Sequence, residues 1–600
     1  MCGIFGSQNS TEQISNNFIF TLQHRGPDDH GSYVDRENKL LLSHFRLSII
    51  DPVKGSSQPM YDSTGNYVII FNGEIYNYLE LRQDLISLGY SFKTKSDTEV
   101  ILNSFVAWGK ECLLKFRGMF AFCIYNKKSN QLFLARDRFG IKPLIYTCFK
   151  NQFYFSSELK PFLNCDLFHK KINQSSLSNI YNQGSVSQPN TIFENFYNLE
   201  PGSWMEVKNG KIIDKKRYYV LHDYISRKQN SISYSEATHL IRNSLEDAIN
   251  HHLVSDVDVG AFLSGGLDSA AIVALMQKGQ LKKIKTFSLG FKGYEGVVDE
   301  NKEASETADF LNTDHSEILI DDQYIAEIFD DFIASIDQPS IDGLNTYIIS
   351  KEASKSVKVV VSGLGGDELF FGYDIYKEII SRKMDFISII PKIAEKLHLL
   401  RPNRLTRRLS LINKSPEEAL MFLRNKSNAF KILNEYEYAN NSEIFKELSE
   451  IQRICNKDLS GYMVDTLLRD NDINSMASSL ELRPIFLDHS LVEQVMNVPD
   501  KYKMMSKSKQ LLYDSVSDLL PPDIISRKKK GFELPFTIWM NGILNDRYNS
   551  LLSDNLLEKI FNKNYIKKLR NRASRKKLNW YDWVTLVYIS WIKHHNISYN

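Results

Sequence analysis

Short apolar runs broken by turn residues dominate roughly the first 210 residues of the chain. Residues 67–71, 119–125 and 131–135 are rich in β-branched and aromatic side chains, which predicts β-strands. Two helical stretches, residues 79–88 and 98–108, lie among them, and each is followed directly by a glycine that can end a helix. Because predicted strands outnumber helices, we expect a layered α+β domain here.

A second pattern begins after a polar segment, residues 217–235. Apolar strands are predicted at 257–263, 284–289 and 358–361, and helices at 268–276 and 303–311. Strands that alternate with helices favour a parallel, doubly wound sheet. From about residue 375 onward the pattern is mainly helical. We therefore expect an N-terminal domain at 1–215, a linker at 216–235 and a C-terminal domain at 236–600.

Composition and charge place the chain among ordinary globular proteins. Apolar residues make up 42% of the 600 positions and charged residues 24%, and the formal net charge is +2. This balance gives no global reason to expect nucleic-acid or membrane binding. Two local basic runs, residues 527–530 and 567–577, are most simply solvated faces.

The six cysteines and the N-terminal residues narrow the cellular setting. The cysteines form no CxxC pair and no regular spacing, which argues against a zinc site and against a disulfide framework. The N-terminal residues lack the charged and apolar regions of a secretory signal, and no apolar run of ~18 residues is present. We expect a cytoplasmic protein with small-molecule substrates and neither nucleic-acid nor membrane partners.

Cys2 is a candidate nucleophile. Removal of Met1 would leave its α-amino group free beside its own thiol. An α-amine has a pKa near ~8, so it can act as the general base for a thiol whose pKa is about 8.5. Cysteine is also the side chain that needs least activation to attack an amide carbonyl. Taken alone, Cys2 is equally consistent with an incidental buried residue.

Three further segments supply what amide hydrolysis needs. Asn72 and Gly73 follow a predicted strand and could donate an amide and a backbone N–H to an oxyanion. Arg46 could bind a carboxylate with both arms of its guanidinium, and Asp97 could accept an ammonium. A substrate with a carboxylate, an ammonium and a side-chain amide is glutamine. Individually, Arg46 and Asp97 also fit surface salt bridges.

Seven motifs in order resemble the class II glutamine amidotransferase domain. They are residues 1–4 (MCGI), 24–28 (HRGPD), 46–51 (RLSIID), 72–77 (NGEIYN), 96–99 (SDTE), 118–122 (GMFAF) and 134–144 (LARDRFGIKPL). The resemblance implies a four-layer αββα fold of the N-terminal-nucleophile hydrolase type, in which the cysteine attacks glutamine and releases ammonia. The implied catalytic residues are Cys2, Asn72 and Gly73. The implied glutamine contacts are Arg46, Leu47, Ser48, Ile49, Ile50, Asn72, Gly73, Glu74 and Asp97.

A second candidate site follows a strand of the C-terminal pattern. Residues 264–269 (SGGLDS) come directly after that strand and open a helix, where backbone N–H groups favour phosphate. The run lacks the lysine of a kinase-type phosphate loop. Asp268 is a candidate Mg²⁺ ligand, and Asp367, in the turn after another strand, is a second. Ligands bind at the carboxyl ends of such strands.

The SGGLDS run resembles the ATP-pyrophosphatase loop, which yields AMP and pyrophosphate. Together with residues 336–342 (IDQPSID), 475–489 (SMASSLELRPIFLDH) and 527–532 (RKKKGF), it resembles the C-terminal domain of the asparagine synthetase family. The resemblance implies an adenine nucleotide α-hydrolase-like sheet, use of ATP and Mg²⁺, and leaves room for a homodimer. The implied ATP contacts are Leu263, Ser264, Gly265, Gly266, Asp268, Ser269, Leu289, Ser362 and Gly363. Asp268 and Asp367 would hold the metal, and Lys529 would stabilise the pentavalent phosphorus and the pyrophosphate.

One position departs from that family. In typical asparagine synthetases the residue after this Ser-Gly pair is acidic, and it assists formation of β-aspartyl-AMP. Here the residue after Ser362 and Gly363 is Leu364. Either the variant is tolerated in an asparagine-forming enzyme, with the role vacant or taken by a carboxylate such as Glu368, or the acceptor is another acid. A uronic acid sugar of surface-polysaccharide assembly is one such alternative. A β-lactam-forming cyclase is disfavoured because such enzymes lack a working N-terminal cysteine.

Overall fold

The computed structural model describes residues 2–10, 16–52, 54–226, 231–293, 301–382, 411–412, 414–425, 431–435, 446–527 and 534–599. Within these ranges, no helix has the length and apolar character needed to cross a bilayer.

The N-terminal part contains two antiparallel six-stranded sheets. Their strands are β1 (Gly3–Gln8), β2 (Asp29–Asp35), β3 (Leu40–Arg46), β4 (Met60–Tyr61), β5 (Tyr67–Ile75), β6 (Gly118–Asn126), β7 (Gln131–Arg136), β8 (Ile145–Phe149), β9 (Gln152–Ser156), β10 (Tyr197–Asn198), β11 (Ser203–Lys208) and β12 (Lys211–Arg217). The strand orders are β10-β8-β9-β1-β3-β2 and β12-β11-β7-β6-β5-β4. The helices of this part are α1 (Asn16–Ile19), α2 (Tyr78–Ser87), α3 (Asp97–Trp108), α4 (Cys112–Lys115), α5 (Lys160–Leu163) and α6 (Gln174–Gln183).

The two sheets pack face to face and helices cover their outer faces. Ile4 and Ile70 are buried together between the sheets. On the outer face of the second sheet, Phe71 packs with Leu85 of α2 and Ile101 of α3. The next residue of β1, Phe5, faces the opposite way, into the core that contains α5 and α6. This alternation is the period-two geometry of a strand, and it confirms the four-layer αββα arrangement.

The C-terminal part is built on a five-stranded parallel sheet. Its strands are β13 (Val259–Phe262), β14 (Lys285–Phe291), β15 (Asp314–Ile320), β16 (Val359–Ser362) and β17 (Glu481–Pro484), in the order β15-β14-β13-β16-β17. The helices are α7 (Leu221–Tyr224), α8 (Tyr234–His252), α9 (Leu267–Gln277), α10 (Asn301–Phe310), α11 (Asp322–Ser335), α12 (Leu344–Ala353), α13 (Gly366–Leu369), α14 (Asp374–Ser381), α15 (Pro416–Arg424), α16 (Glu450–Ser460), α17 (Arg469–Met476), α18 (His489–Asn497), α19 (Asp500–Lys503), α20 (Gln510–Val516), α21 (Phe536–Asn541), α22 (Asn545–Leu551), α23 (Leu556–Ile560), α24 (Lys563–Ser574) and α25 (Trp580–His594).

Helices cover both faces of the parallel sheet, as predicted. Helices α8 and α9 pack on one face, and α11 and α12 on the other. Strand β17 is an addition, because it lies in the part that the pattern predicted to be mainly helical. It is four residues long and contains buried Glu481 and Arg483. Four residues with two charges are a weak local signal, so the strand depends on its pairing with β16.

Strand β13 pairs with β16 on one side and with β14, the next strand along the chain, on the other side. The strand order reverses between β13 and β16, so the loops after these two strands diverge there. Such a switch point at the carboxyl ends of parallel strands is where open α/β sheets bind ligands. Both glycine-rich motifs found in the sequence follow these two strands.

Two candidate active sites

Cys2 and Asn72 meet where the two N-terminal sheets face each other. Cys2 lies directly before β1, and Asn72 lies in β5 of the other sheet. The backbone N–H of Cys2 donates a 2.9 Å hydrogen bond to Oδ1 of Asn72. At the other end of that amide, the buried Nδ2 has no hydrogen-bond partner among the described residues. An unused amide donor beside a nucleophile is the feature that an oxyanion hole requires.

Gly73 has a backbone conformation that other residues rarely adopt. Its φ is +147°, and a Cβ at this position would lie 2.0 Å from the carbonyl oxygen of Met119. Only glycine fits here, because the neighbouring strand β6 is already in contact. The fit explains why the motif requires a glycine at this point of β5.

Burial raises the pKa of the Cys2 thiol, and it outweighs nearby positive charge, including Arg46, and a hydrogen bond from the Leu47 backbone. The thiol therefore remains protonated at neutral pH and needs a base. The Cys2 nitrogen becomes an α-amine once Met1 is removed, which places a base on the same residue.

Arg46 holds the segment that follows β3. Its Nη2 donates to the carbonyl oxygens of Ile50 and Asp51, at 3.2 and 2.6 Å. The backbone N–H of Ser48 donates to Asp28 at 2.7 Å, and Asp28 pairs with Lys358 of the C-terminal part at 2.7 Å. The predicted glutamine contacts Leu47, Ser48, Ile49 and Ile50 thus form one buried segment beside Cys2. Their contacts to glutamine stay predictions.

Asp97 is the first residue of α3, and its carboxylate points to β5. Its Oδ2 accepts a 3.1 Å hydrogen bond from the backbone N–H of Ile75. Burial raises the pKa of Asp97 to about 6, so the group is largely ionised at neutral pH. Glu74, also predicted to contact glutamine, lies 3.7 Å from Nη2 of Arg483. Burial raises the pKa of Glu74 well above its ordinary value, and the charges of Glu481 and Asp97 add to this.

A buried arginine that the sequence reasoning gave no role ties Cys2 to both parts of the chain. Arg25 donates from Nε to the carbonyl oxygen of Cys2 at 3.0 Å and from Nη1 to Glu158 at 2.8 Å. Its Nη2 donates to Asp472 of α17 at 2.8 Å, across 447 positions of sequence. Lys142 Nζ approaches the other oxygen of Asp472 at 3.3 Å. The HRGPD and GIKPL motifs contain Arg25 and Lys142, but Asp472 has no local signal of its own.

The second site lies at the switch point of the parallel sheet. The Ser264 backbone N–H donates to the hydroxyl of Ser269 at 3.0 Å, which closes the loop between β13 and α9. The loop after β16 abuts it, because a Cβ on Gly366 would lie 2.6 Å from the carboxylate carbon of Asp268. A Cβ on Gly363 would lie 2.9 Å from the Ser269 nitrogen. The two motifs therefore form one cradle.

Lys509, a residue missed by sequence reasoning, lies between the two predicted metal ligands. Its Nζ pairs with Asp367 at 2.5 Å and with Asp268. Burial would lower the pKa of Lys509, but the two carboxylates outweigh it and hold the pKa above its ordinary value. Lys509 has a φ of +55°, a conformation uncommon for a non-glycine residue and often found at functional sites. The only local signal is a lysine before a short helix.

The remaining predicted nucleotide contacts surround this cradle. Leu263 and Leu289 are buried at β13 and β14, and the buried hydroxyl oxygen of Ser362 has no hydrogen-bond partner within the described ranges. Lys529 lies outside the described residues. Arg527, two positions earlier, donates to the Gly265 carbonyl at 3.4 Å and to the Thr307 hydroxyl at 2.7 Å.

Leu364 lies between Ser362–Gly363 and Gly365, and its side chain packs against an apolar cluster. Glu368, the proposed substitute, is buried on α13 and accepts a 2.8 Å hydrogen bond from the Tyr373 hydroxyl. Burial raises the pKa of Glu368 to about 7, and Asp367 and Asp458 add to this. Its carboxylate is thus engaged inside the protein.

The architecture and the two sites define a class: an N-terminal-nucleophile amidotransferase module joined to a nucleotide-binding module. Residues 1–219 match the family model of the glutamine amidotransferase domain, and residues 240–593 match that of asparagine synthase. The chain therefore belongs to the asparagine synthase family, which confirms the resemblance seen in the motifs.

Named relatives cover between 65% and 98% of the chain. Asparagine synthetase [glutamine-hydrolyzing] 1 of Bacillus subtilis (strain 168) is 31% identical, over 98% of this chain and 96% of that protein. A putative asparagine synthetase [glutamine-hydrolyzing] 2 of Methanocaldococcus jannaschii is 36% identical, over 65% of this chain and 79% of that protein. Asparagine synthetase [glutamine-hydrolyzing] 3 of B. subtilis is 29% identical, over 89% of this chain and 87% of that protein.

Proposed function

We propose that the protein moves the amide nitrogen of glutamine to a carboxylate that it first activates with ATP, and that the acceptor is aspartate. Glutamine and water give glutamate and ammonia at the first site. At the second site the acceptor carboxylate attacks the α-phosphorus of ATP and releases pyrophosphate. Ammonia then passes between the sites and displaces AMP from the acyl adenylate.

The contact between Cys2 and Asn72 carries the first half of the proposal. Cys2 attacks the glutamine amide carbonyl and forms a thioester, while its own α-amine takes the thiol proton. The Nδ2 of Asn72 and the N–H of Gly73 hold the oxyanion. Arg46 binds the substrate carboxylate, Asp97 binds its ammonium, and the segment at 47–50 and Glu74 complete the pocket.

The two adjoining loops after β13 and β16 support the second half. They are proposed to hold ATP through Leu263, Ser264, Gly265, Gly266, Asp268, Ser269, Leu289, Ser362 and Gly363, with Lys529 on the reacting phosphate. No group of three or more His, Cys, Asp or Glu side chains in the described ranges is arranged to hold a metal by itself. Mg²⁺ nevertheless fits Asp268 and Asp367, because it usually binds one or two carboxylates together with phosphate oxygens. There it would neutralise charge on the pyrophosphate.

Lys509 is proposed to share that task. Its ammonium already pairs with both carboxylates, so it would shift toward the phosphates when the metal binds.

We also propose the limits 1–215, 216–235 and 236–600 for the two domains and their linker. Strand β12 ends at Arg217 and the long helix α8 begins at Tyr234.

Leu364 favours a second candidate acceptor. Its apolar side chain occupies the position where an acid assists aspartyl-AMP formation in the enzymes that the motifs resemble, and Glu368 is engaged with Tyr373. An enzyme that amidates a different acid, such as a uronic acid sugar, would not need an acid at that position. The two candidates differ only in the acceptor.

An acceptor panel tests both. The purified protein is given ATP, Mg²⁺ and either glutamine or ammonium with aspartate, glutamate or sugar uronic acids, and AMP, pyrophosphate and amide products are measured. We expect asparagine from aspartate. Product from a uronic acid alone would favour the second candidate, and no AMP with any acid would overturn the synthetase assignment.

The variant Cys2→Ala tests the other site in the same assay. We expect no glutamate release, with ammonium still supporting AMP formation. Cys148→Ala, which changes an exposed cysteine, is the matched control and should behave as wild type. Glutamine hydrolysis that survives in Cys2→Ala would show that the first site is wrongly assigned.

A further inference from the structure

Helix α24 and the turn after it form a dense basic surface. Residues 563–577 contain eight Lys and Arg side chains and no Asp or Glu, although the whole chain has a net charge of only +2. The helix buries one apolar side, made of Tyr565, Ile566, Leu569 and Ala573. The opposite side and the turn are exposed and carry Lys563, Lys567, Lys568, Arg570, Arg575, Lys576 and Lys577, which we name the basic face.

Within the described residues, acidic side chains leave the charges of the basic face unpaired. Arg572 pairs with Asp582 at 2.5 Å, but it is not part of the face. Arg570 donates to the Leu552 carbonyl at 3.1 Å, and no acidic side chain in the described part of the chain pairs with the other six. Elsewhere exposed lysines do find acids, as Lys278 does with Glu246 at 2.8 Å. The face therefore presents positive charge to an external partner.

Two exposed apolar side chains belong to the segment that contacts the end of the basic turn. Ile538 and Ile543 are 46% and 40% exposed. Between them, Asn541 exchanges two hydrogen bonds with the backbone of Leu578, at 3.1 and 2.9 Å. These bonds hold the loop that bears Ile543 against the end of the basic turn. Trp580, two positions after Leu578, is only partly buried.

We propose that the basic face and these isoleucines dock the protein on an anionic lipid bilayer. Lysines near such a surface are attracted to its phosphates, and apolar side chains among them enter the boundary between headgroups and acyl chains. Tryptophan favours the same depth. A nucleic acid would pair with the positive charges but would give the isoleucine side chains no apolar environment. The expectation of no membrane partner rested on the net charge, on the lack of a long apolar run and on the interpretation of residues 567–577 as a solvated face.

Co-sedimentation with lipid vesicles tests the proposal. Wild type is mixed with phosphatidylcholine vesicles that contain either no phosphatidylglycerol or about 30% of it, at low and high salt. We expect binding to the anionic vesicles only, weakened by salt. Lys576→Gln/Lys577→Gln should bind about thirtyfold more weakly. Ile538→Ser/Ile543→Ser should bind about tenfold more weakly at unchanged charge.

The control is Lys208→Gln/Lys211→Gln, which makes the same charge change at exposed positions of β11 and β12 and should bind like wild type. All variants should keep wild-type glutaminase activity, which shows that they fold. The proposal would be overturned if wild type did not bind anionic vesicles or if the control lost as much binding as the test variants. Binding to DNA or to a second copy of the chain in place of vesicles would overturn it too. Indifference to the isoleucine changes would also contradict it.

Discussion

At the scale of single residues, the amide of Asn72 is the feature on which the first site depends. One end is engaged with the backbone of Cys2, and the other end is a buried donor without a partner among the described residues. Leaving a buried donor unpaired costs about 1–3 kcal/mol, so such groups persist where a ligand uses them.

Replacing Asn72 with alanine should lower the kcat for glutamine hydrolysis about 10²–10³-fold with little change in KM, because the donor acts on the oxyanion and not on the ground state. Steady-state glutaminase kinetics measure this. Asn126→Ala, near the other end of the neighbouring strand β6, is the control and should stay near wild type. A rise in KM without a fall in kcat would move Asn72 to a binding role.

If Asp97 binds the ammonium of glutamine as proposed, the first site should be sensitive to pH. Its pKa is raised to about 6 by burial, and only the ionised form can pair with the ammonium of glutamine. We expect kcat/KM for glutamine to fall about tenfold for each pH unit below that value. Because folding raises the pKa of Asp97, its ionisation lowers the free energy of unfolding as pH rises. The fall in kcat/KM at low pH therefore reflects weaker glutamine binding and not unfolding.

The pH profile of wild type and Asp97→Asn checks this. The variant should lack the limb near pH 6 and have a lower plateau. If kcat/KM of Asp97→Asn still falls at low pH with the same midpoint as in wild type, another group is responsible for the titration.

At the scale of elements, two loops at the switch point depend on each other. Gly366 lies so close to Asp268 that a Cβ would meet the carboxylate carbon at 2.6 Å. Since Asp268 lies in the first turn of α9, a side chain at position 366 must displace the Asp268 carboxylate from its place at the start of that helix.

Gly366→Ala should therefore lower ATP-dependent pyrophosphate release at least ~10-fold while glutaminase activity remains, because only Asp268 and its loop move. Gly55→Ala is the control, since nothing lies within 4 Å of its Cβ position. Equal loss of both activities would indicate global misfolding and contradict the local argument.

At the scale of the whole molecule, a chain of buried charges joins the two parts. Asp472 of α17 accepts hydrogen bonds from Arg25 and from Lys142. Arg25 also donates a hydrogen bond to the Cys2 carbonyl oxygen. Cys2, the proposed nucleophile, is thus positioned partly by the C-terminal part. Removing one partner of such a buried set leaves cations uncompensated, which costs about 3–5 kcal/mol.

Asp472→Asn should lower the unfolding temperature and reduce glutaminase activity more than ammonium-dependent AMP formation. The measured quantity is the ratio of the two activities, which simple destabilisation would leave unchanged. Asp582→Asn removes the buried partner of Arg572 far from the first site and serves as control. If both variants change the ratio equally, Asp472 has no special link to Cys2.

Prediction from the sequence depends on local signals. Cys2, Asn72, Gly73 and the loop at 264–269 could be singled out as candidates because each sits in a short run with a recognisable turn or terminus, and their roles stay predictions. Lys509 was missed because its partner Asp268 lies 241 positions away. Strand β17 was missed because it is only four residues long, contains two charged residues and ends in proline.

By itself, the sequence determined the order of the main elements, the two glycine-rich turns and a candidate nucleophile, since these follow from neighbours a few residues apart. Only the tertiary structure decided which distant charges meet. Arg25 reaches Asp472 across 447 positions, and Lys509 reaches both acids of the second site. The reason is physical: a buried charge must find an opposite charge, and packing selects which one is near.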